Sequence, residues 1–192
     1  MHTYDNKHQM LSDLTRQYDQ PNTIAIELGV HEGHSIRNIR KHFTGDIYGF
    51  DSFQGLPEDW RIDFPKGAFA INNPPEIPNV TIIKGLFQNT LQPFLNTLTK
   101  PISVTHIDCD LYSSTIYTLT HITPHLAQRS VIIFDEYENY PGWEHHEHKA
   151  FTEWLTNNPH LTATRISKVN QGEQAAFELR LTPGNAHDAK IK

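Results

Sequence analysis

Residues 24–35 read IAIELGVHEGHS: an apolar run interrupted only by Glu27, then Gly29 and Gly33, then Ser35. Near-continuous apolar runs are typical of strands that are covered on both faces. Glycines permit a tight turn and let the backbone approach a ligand closely, and the residues after Gly33 suit the start of a helix. The stretch therefore predicts a strand, a glycine turn and a helix, in that order.

The same alternation continues along the chain. Helical apolar spacing separates several β-rich runs, as at Leu91, Phe94, Leu95 and Leu98. The candidate strands are residues 23–28, 46–50, 80–84, 102–107, 131–134, 163–167 and 175–179. Strands that alternate with helices predict an α/β fold with an open, mostly parallel sheet and helices on both faces. We expect a single domain over residues 1–183, followed by a tail at 184–192.

Composition narrows the class of partner. The chain has 192 residues, 16 Lys and Arg, 22 Asp and Glu, and a formal net charge of -6. This acidity argues against nucleic acid or an anionic membrane as the main partner, since binding to phosphate groups needs a positive field on the protein. The lone Cys109 excludes an internal disulfide, and neither a signal peptide nor a membrane span is visible. We therefore expect a soluble, cytoplasmic protein.

The glycine turn favours a nucleoside cofactor. Asp51 follows the second strand, about 20 residues after Gly29, where a carboxylate can hold a ribose diol. The turn reads G-x-x-x-G and lacks the third glycine of a dinucleotide fingerprint. Glu27 would repel a pyrophosphate but can orient an ammonium group. These details favour S-adenosylmethionine (SAM) over a dinucleotide; the alternative is a tight turn with an incidental acid.

Acidic residues follow two further strands. Asp108 and Asp110 come after the fourth strand, and Asp135 and Glu136 come after the fifth. Carboxylates that converge at one sheet edge need a cation or raised pKa values. Oxygen ligands point to Mg²⁺ first, with Mn²⁺ or Ca²⁺ as alternatives, and such an ion can activate a substrate hydroxyl. The competing interpretation is that the acids cap the following helices, Asp110 above all.

A proline-rich segment, residues 52–79, follows the second strand and has no regular pattern. Ligands bind beyond the carboxyl ends of strands in open α/β sheets, so this segment is a candidate for closing the site. Its Trp60 and Phe64 are candidates for covering a bound cofactor.

Histidines are abundant, with 13 in the chain. Residues 144–148 read EHHEH, and on a helix His145 and His148 would share a face. No matching cluster follows at the spacing of a zinc site. His148 or His145 is a candidate base facing a substrate, against a solvated or packing role.

Five segments together resemble the macrocin O-methyltransferase (TylF/MycF-type) family. In chain order they are IELGVHEGHSI, GFDSFQGLPEDW, IIKGLFQNTL, HIDCDLYSST and FDEYENYPGWEHHEHKAF, spanning about Ile24 to Trp154. The resemblance implies a class I SAM-dependent methyltransferase with a Rossmann-like sheet of seven strands, the terminal one antiparallel. It also implies methylation of sugar hydroxyls.

The resemblance implies roles for individual residues. Those expected around SAM are Glu27, Gly29, Gly33 and Ser35 at the methionine, Asp51, Ser52 and Phe53 at the ribose, and Gly85 and Gln88 at the adenine. Asp108, Asp135 and Glu136 would bind Mg²⁺, and Asp108 or Asp110 would help to deprotonate the acceptor. Two positions depart from the family: Glu136 stands where a second Asp is frequent, and Cys109 where Gly is familiar.

The expected function is Mg²⁺-dependent (or Mn²⁺-dependent) transfer of a methyl group from SAM to a hydroxyl of a small molecule, a sugar or glycosylated metabolite above all. Three alternatives stay open: methylation of a catechol-like diol, non-catalytic binding of SAM or a partner, and a dinucleotide-dependent oxidoreductase. The resemblance also leaves open a homo-oligomer.

Overall fold

The computed structural model describes residues 1–182, so the tail expected at 184–192 lies outside the described residues. The strands are β1 (His2–Tyr4), β2 (Ile24–Leu28), β3 (Asp46–Asp51), β4 (Thr81–Lys84), β5 (Ile102–Ile107), β6 (Leu126–Phe134), β7 (Leu161–Val169) and β8 (Ala175–Leu181). The helices are α1 (Lys7–Gln17), α2 (His34–His42), α3 (Phe87–Leu95), α4 (Tyr112–Ile122) and α5 (Glu147–Asn157), with short 3-10 helices at Thr123–His125 and Trp143–His145.

The strands form one sheet in the order β1-β7-β8-β6-β5-β2-β3-β4. All neighbours pair in parallel except β8, which is antiparallel to both β6 and β7. The predicted α/β architecture with a mostly parallel sheet is confirmed. The strand count was wrong by one, because the three-residue edge strand β1 is too short and too exposed to leave an apolar pattern.

Helices cover both faces of the sheet. In β2, Ile24, Ile26 and Leu28 pack on the side of α3, α4 and α5, whereas Ala25 belongs to the cluster that includes α1 and α2. Every residue of β2 and of β5 is buried. This double cover explains why β2 is a near-continuous apolar run.

Two local details differ from what the sequence pattern indicates. Residues 144–148 are not one helix, since a 3-10 turn ends at His145 and α5 begins at Glu147. The break follows Pro141 and Gly142, whose φ of +86° turns the chain. Strand β6 starts at Leu126 rather than at residue 131.

Helix α1 was not predicted at all. Its buried residues are Met10, Leu11, Leu14 and Thr15, and it packs against α2 and β7. Within residues 1–182, no helix combines the length and the apolar character needed to cross a membrane.

Candidate active site

The parallel strands of the sheet centre end side by side, and the residues that follow them continue the ladder of hydrogen bonds. Asp108 and Asp135 each donate the backbone N–H to the last carbonyl of a neighbouring strand, and Gly29 donates to the Phe50 carbonyl, the last but one of β3, all at 2.9 Å. Gly29 has a φ of +91°, and a Cβ there would lie 1.7 Å from the carbonyl oxygen of Asp108. Glycine is therefore required at this turn, which sets two carboxylates beside it.

Asp51, the last residue of β3, fixes the glycine turn. Its Oδ2 accepts the backbone N–H groups of Val30 and His31, both at 2.8 Å, and its Oδ1 accepts that of Phe53 at 2.7 Å. His31 and Phe53 both have positive φ, +46° and +58°, which is uncommon for residues with side chains. The carboxylate therefore holds two strained loops together at the sheet edge.

Two cavities lie at this edge. The larger one, about 330 Å³, runs from Asp51 to Glu136, and its volume is within the usual range of ligand pockets, roughly 300–1,000 Å³. The smaller one, about 200 Å³, lies between α1 and the glycine turn. Lys7, His31, Asp108 and Asp135 line both, so the two cavities adjoin.

Three carboxylates meet in the wall of the larger cavity. One oxygen from each of Asp108, Asp135 and Glu136 lies within 4.8 Å of the other two. We call these three residues the acidic cluster. Among the described residues, Oε2 of Glu136 is buried and has no hydrogen-bond partner.

The acidic cluster is electrostatically strained. Burial and the charge of Asp135 raise the pKa of Asp108 well above its ordinary value. Burial, with the charges of Asp135 and Asp108, raises the pKa of Glu136 in the same way. Burial alone would raise the pKa of Asp135, but His106 and Lys7 hold it below its ordinary value. A divalent cation would relieve this repulsion, so the donor set fits a hard metal ion.

His106 connects the acidic cluster with the residue below the glycine turn. Its Nδ1 donates to Oε1 of Glu27 at 2.8 Å, and its Nε2 lies 3.9 Å from Oδ1 of Asp135. Burial lowers the pKa of His106, but the two carboxylates outweigh burial and raise it to about 10. The His106 ring therefore lies between two buried acids.

Two further acids border the cluster. Asp110 lines the larger cavity with a φ of +63°, and burial raises its pKa to about 7. Glu147 is wholly buried, and its Oε2 accepts the backbone N–H of Glu136 at 3.2 Å. Burial, followed by the charge of Asp110, raises the pKa of Glu147. Glu147 thus positions the backbone of a cluster residue.

The proline-rich segment, residues 52–79, forms the opposite wall. Trp60, Arg61 and Phe64 line the larger cavity. The guanidinium carbon of Arg61 lies 4.0 Å from the ring centre of Trp60 and 4.6 Å from that of Tyr140, and Nη1 pairs with Glu173 at 3.1 Å. The expectation that this segment closes the site by moving stays a prediction.

The structure brings many of the expected site residues to the cavities. Those that line the larger cavity are Gly29, Asp51, Ser52, Gln88, Asp108, Asp110, Asp135 and Glu136, and Ser35 lines the smaller one. Those that line neither are Glu27, Gly33, Phe53, Gly85 and His148.

The residues outside the cavities have structural surroundings. Glu27 is buried beneath the turn with His106, and Gly33, with a φ of +79°, begins α2. Gly85 donates its N–H to the Asp51 carbonyl at 2.9 Å. His148 stacks edge-on against Trp143 at 4.6 Å, so the structure places it in an aromatic contact rather than at the acids.

Sequence reasoning missed Lys7, His106 and Glu147. His106 carried a signal, since a polar side chain in a strand of otherwise buried residues needs a buried partner. Lys7 carried a weaker one, the capping residue Asn6 just before the apolar spacing of α1.

Comparison with known proteins gives a family match. The family model described as "Methyltransferase domain" matches residues 26–137, from the first central strand to just past the acidic cluster. No curated protein matches the chain.

Solved structures share the fold. The crystal structure of CalS11, described as a calicheamicin methyltransferase, is 22% identical with a TM-score of 0.71, covering 94% of this chain and 82% of that one. The apo structure of CalS11, described there as a TDP-rhamnose 3'-O-methyltransferase, is 21% identical with a TM-score of 0.64 and covers 94% and 82%. An O-methyltransferase from Bacillus cereus in complex with SAH is 16% identical with a TM-score of 0.63 and covers 92% and 80%.

Proposed function

Because the chain belongs to the methyltransferase domain family, which matches it over residues 26–137, we propose that it transfers the methyl group of SAM to a hydroxyl of a small molecule with Mg²⁺ or Mn²⁺ bound. The observation that carries the proposal is the acidic cluster in the wall of a cavity that begins at Asp51. A nucleoside-binding carboxylate and a hard-metal site at one sheet edge are what such a reaction requires.

The cofactor lies along the glycine turn. Asp51 holds the ribose hydroxyls, since a carboxylate oxygen can accept further hydrogen bonds beside the backbone N–H groups it already holds. Ser52 lies beside the ribose, and Gln88 flanks the adenine at the same cavity. Gly29 leaves the space in which the methionine end passes the turn, and Ser35 faces that end from the smaller cavity.

Asp108, Asp135 and Glu136 hold the metal ion. The unpartnered Oε2 of Glu136 and the raised pKa values of Glu136 and Asp108 support this assignment, because a cation satisfies both. When bound, the ion orients the acceptor hydroxyl and lowers its pKa. Glu147 fixes the backbone of Glu136 and so keeps that carboxylate at the cluster.

The protein's own groups then position the acceptor. The oxygen of the acceptor hydroxyl attacks the methyl carbon of SAM as the carbon–sulfur bond breaks, which gives a methyl ether and S-adenosylhomocysteine (SAH). The hydroxyl proton passes to Asp110 or Asp108 at the cavity wall. Trp60 and Phe64 exclude water from the opposite side. Most of the rate enhancement expected here comes from orientation and charge stabilisation.

The acceptor class is a sugar or glycosylated metabolite. The printed description of CalS11 as a TDP-rhamnose 3'-O-methyltransferase supports this choice. A catechol-like diol is the second candidate, favoured by the aromatic rings of Trp60 and Phe64, which suit a flat acceptor.

The test has three parts. Calorimetry with SAH and with NAD identifies the cofactor, mass spectrometry of products from glycoside and catechol panels identifies the acceptor, and removal of metal with a chelator tests its requirement. We expect Asp135→Asn and Glu136→Gln to lose most transfer activity, with Glu144→Gln, an exposed acid, as the control. No binding of SAH at millimolar concentration would refute the cofactor assignment. Full activity in both cluster variants would refute the metal assignment alone.

A further inference from the structure

Lys7 stands at the point where the two cavities join. It is the first residue of α1, and Asn6 caps that helix by accepting the backbone N–H groups of His8 and Gln9. Asn38 of α2 donates to the His8 carbonyl at 2.9 Å, which ties the start of α1 to the neighbouring helix. The backbone of Lys7 is therefore held at the edge of the site while its four-carbon stem, about half exposed, extends towards the cavities.

The ammonium group of Lys7 pairs with Asp135, one of the proposed metal ligands. Its Nζ donates to Oδ2 of Asp135 at 2.7 Å, where the lysine side chain is 46% exposed and the aspartate 9%. The charges of Asp108 and Glu136 also act on this ammonium. Lys7 thus neutralises part of the acidic cluster from outside.

The position of Lys7 on its helix is unfavourable for the helix itself. The N-terminal turn of a helix attracts anions and repels cations, yet the first turn of α1 holds no acid and begins with a lysine. The residue is therefore explained by what its side chain meets across the site rather than by helix stability.

We propose that Lys7 is an exchangeable counter-cation that couples the binding of metal and SAM; this rests on the function proposed above. Without metal the Lys7 ammonium pairs with the carboxylate of Asp135. A divalent ion bound to the acidic cluster repels the ammonium. The ammonium then moves into the smaller cavity and pairs with the carboxylate of the SAM methionine. Lysine suits this exchange because its charge is a compact point on a flexible stem.

The lining of the smaller cavity supports the second position. It includes Val30, His31 and Ser35 of the glycine turn and the start of α2, where the methionine end of SAM is proposed to lie. Among its lining residues Lys7 is the only Lys or Arg. Glu32, Asp108 and Asp135 in the same lining are acidic, and the buried His106 is already placed between Glu27 and Asp135. A ligand carboxylate in this cavity therefore has Lys7 as its permanently charged partner.

Linkage follows from this exchange. Metal and SAM both favour the displaced lysine, so each should tighten the binding of the other by the same factor. Replacing Lys7 with a neutral residue should strengthen metal binding in the absence of SAM, since the competitor is gone. The same replacement should weaken SAM binding when metal is saturating.

The experiment measures Mn²⁺ binding by electron paramagnetic resonance and SAH binding by calorimetry, each with and without the other ligand. In the wild type we expect about a tenfold mutual tightening. In Lys7→Gln we expect Mn²⁺ alone to bind several-fold more tightly, and the mutual factor to fall to about 1. Lys7→Arg keeps the charge and should retain part of the coupling.

Lys100→Gln is the matched control, because Lys100 pairs with Asp46 at the same 2.7 Å but at the opposite edge of the sheet. Circular dichroism establishes that each variant is folded. Mn²⁺ binding by folded Lys7→Gln that is no tighter than in the wild type would overturn the inference. So would an unchanged coupling factor. A wild-type protein that binds neither ligand would instead refute the proposed function.

Discussion

Asp51→Asn tests the hydrogen bonds by which one carboxylate holds the glycine turn and the loop after β3. The aspartate accepts three backbone N–H groups through two oxygens. Asparagine has a single side-chain oxygen, so whichever way its amide faces, at least one of these N–H groups meets an NH₂ group instead. A hydrogen bond to a charged acceptor contributes about 1.5–3 kcal/mol. The expected loss of unfolding free energy is therefore about 1.5–3 kcal/mol, a fall in Tm of about 3–12 °C for a chain of this size.

The same substitution should weaken cofactor binding. The ribose loses charge-assisted hydrogen bonds, and about 1.5–3 kcal/mol corresponds to roughly a 10- to 150-fold rise in the Kd for SAH. Calorimetry with SAH measures this rise, and thermal unfolding measures the stability.

The control for Asp51→Asn is Asp46→Asn, at the other end of the same strand. Asp46 makes an exposed ion pair with Lys100, and such pairs contribute about 0–1 kcal/mol, so both stability and SAH affinity should hardly change. A folded Asp51→Asn variant with wild-type affinity for SAH would refute the ribose assignment. An unchanged Tm would refute the role of Asp51 in holding the loops.

Two further predictions concern the stability of the fold. Gly29→Ala should abolish cooperative unfolding, at a cost of at least about 4 kcal/mol, because its Cβ would lie 1.7 Å from the Asp108 carbonyl oxygen. Gly67→Ala, with a similar φ of +88° and open space around it, should cost only about 1–2 kcal/mol, and equal losses in the two variants would refute the steric argument. Glu178→Gln should destabilise the protein most at neutral pH: burial raises the pKa of Glu178, but its hydrogen bonds, the one from Tyr18 foremost, lower it to about 2. A lowered pKa stabilises the folded state above the ordinary value of 4.5, and this contribution disappears as pH falls towards about 2. The difference in Tm between wild type and variant should therefore shrink between pH 5 and 2, and a difference independent of pH would contradict the assignment.

The sequence predicts the central sheet and the acids that follow it for one physical reason. Strands buried on both faces are mostly apolar, so β2 and the VIIF end of β6 are recognisable in the sequence, and any acid directly after such a strand lies at the sheet edge. Parallel pairing then brings Asp108 and Asp135 together without any knowledge of side-chain geometry.

The contacts that the sequence does not predict join distant parts of the chain. His106 and Glu27 are 79 positions apart, and their contact depends on the β2–β5 register, which no local pattern encodes. Lys7 and Asp135 are 128 positions apart. His148 does lie in α5, but its ring packs against Trp143 and Tyr137, a contact that helical spacing alone does not predict.

Strand β1 has a consequence for how the molecule is made. Residues 2–4 pair with residues 167–169, so β1 leaves the ribosome long before the strand with which it pairs. At about 5–20 residues per second, that delay is roughly 8–33 s. The strands that carry the acids are synthesised before β7, and α1 packs against β7 as well as α2, so the packing of α1 is complete only after β7 has been made. The carboxylates after β5 and β6 are therefore synthesised before the last contacts of α1 can form.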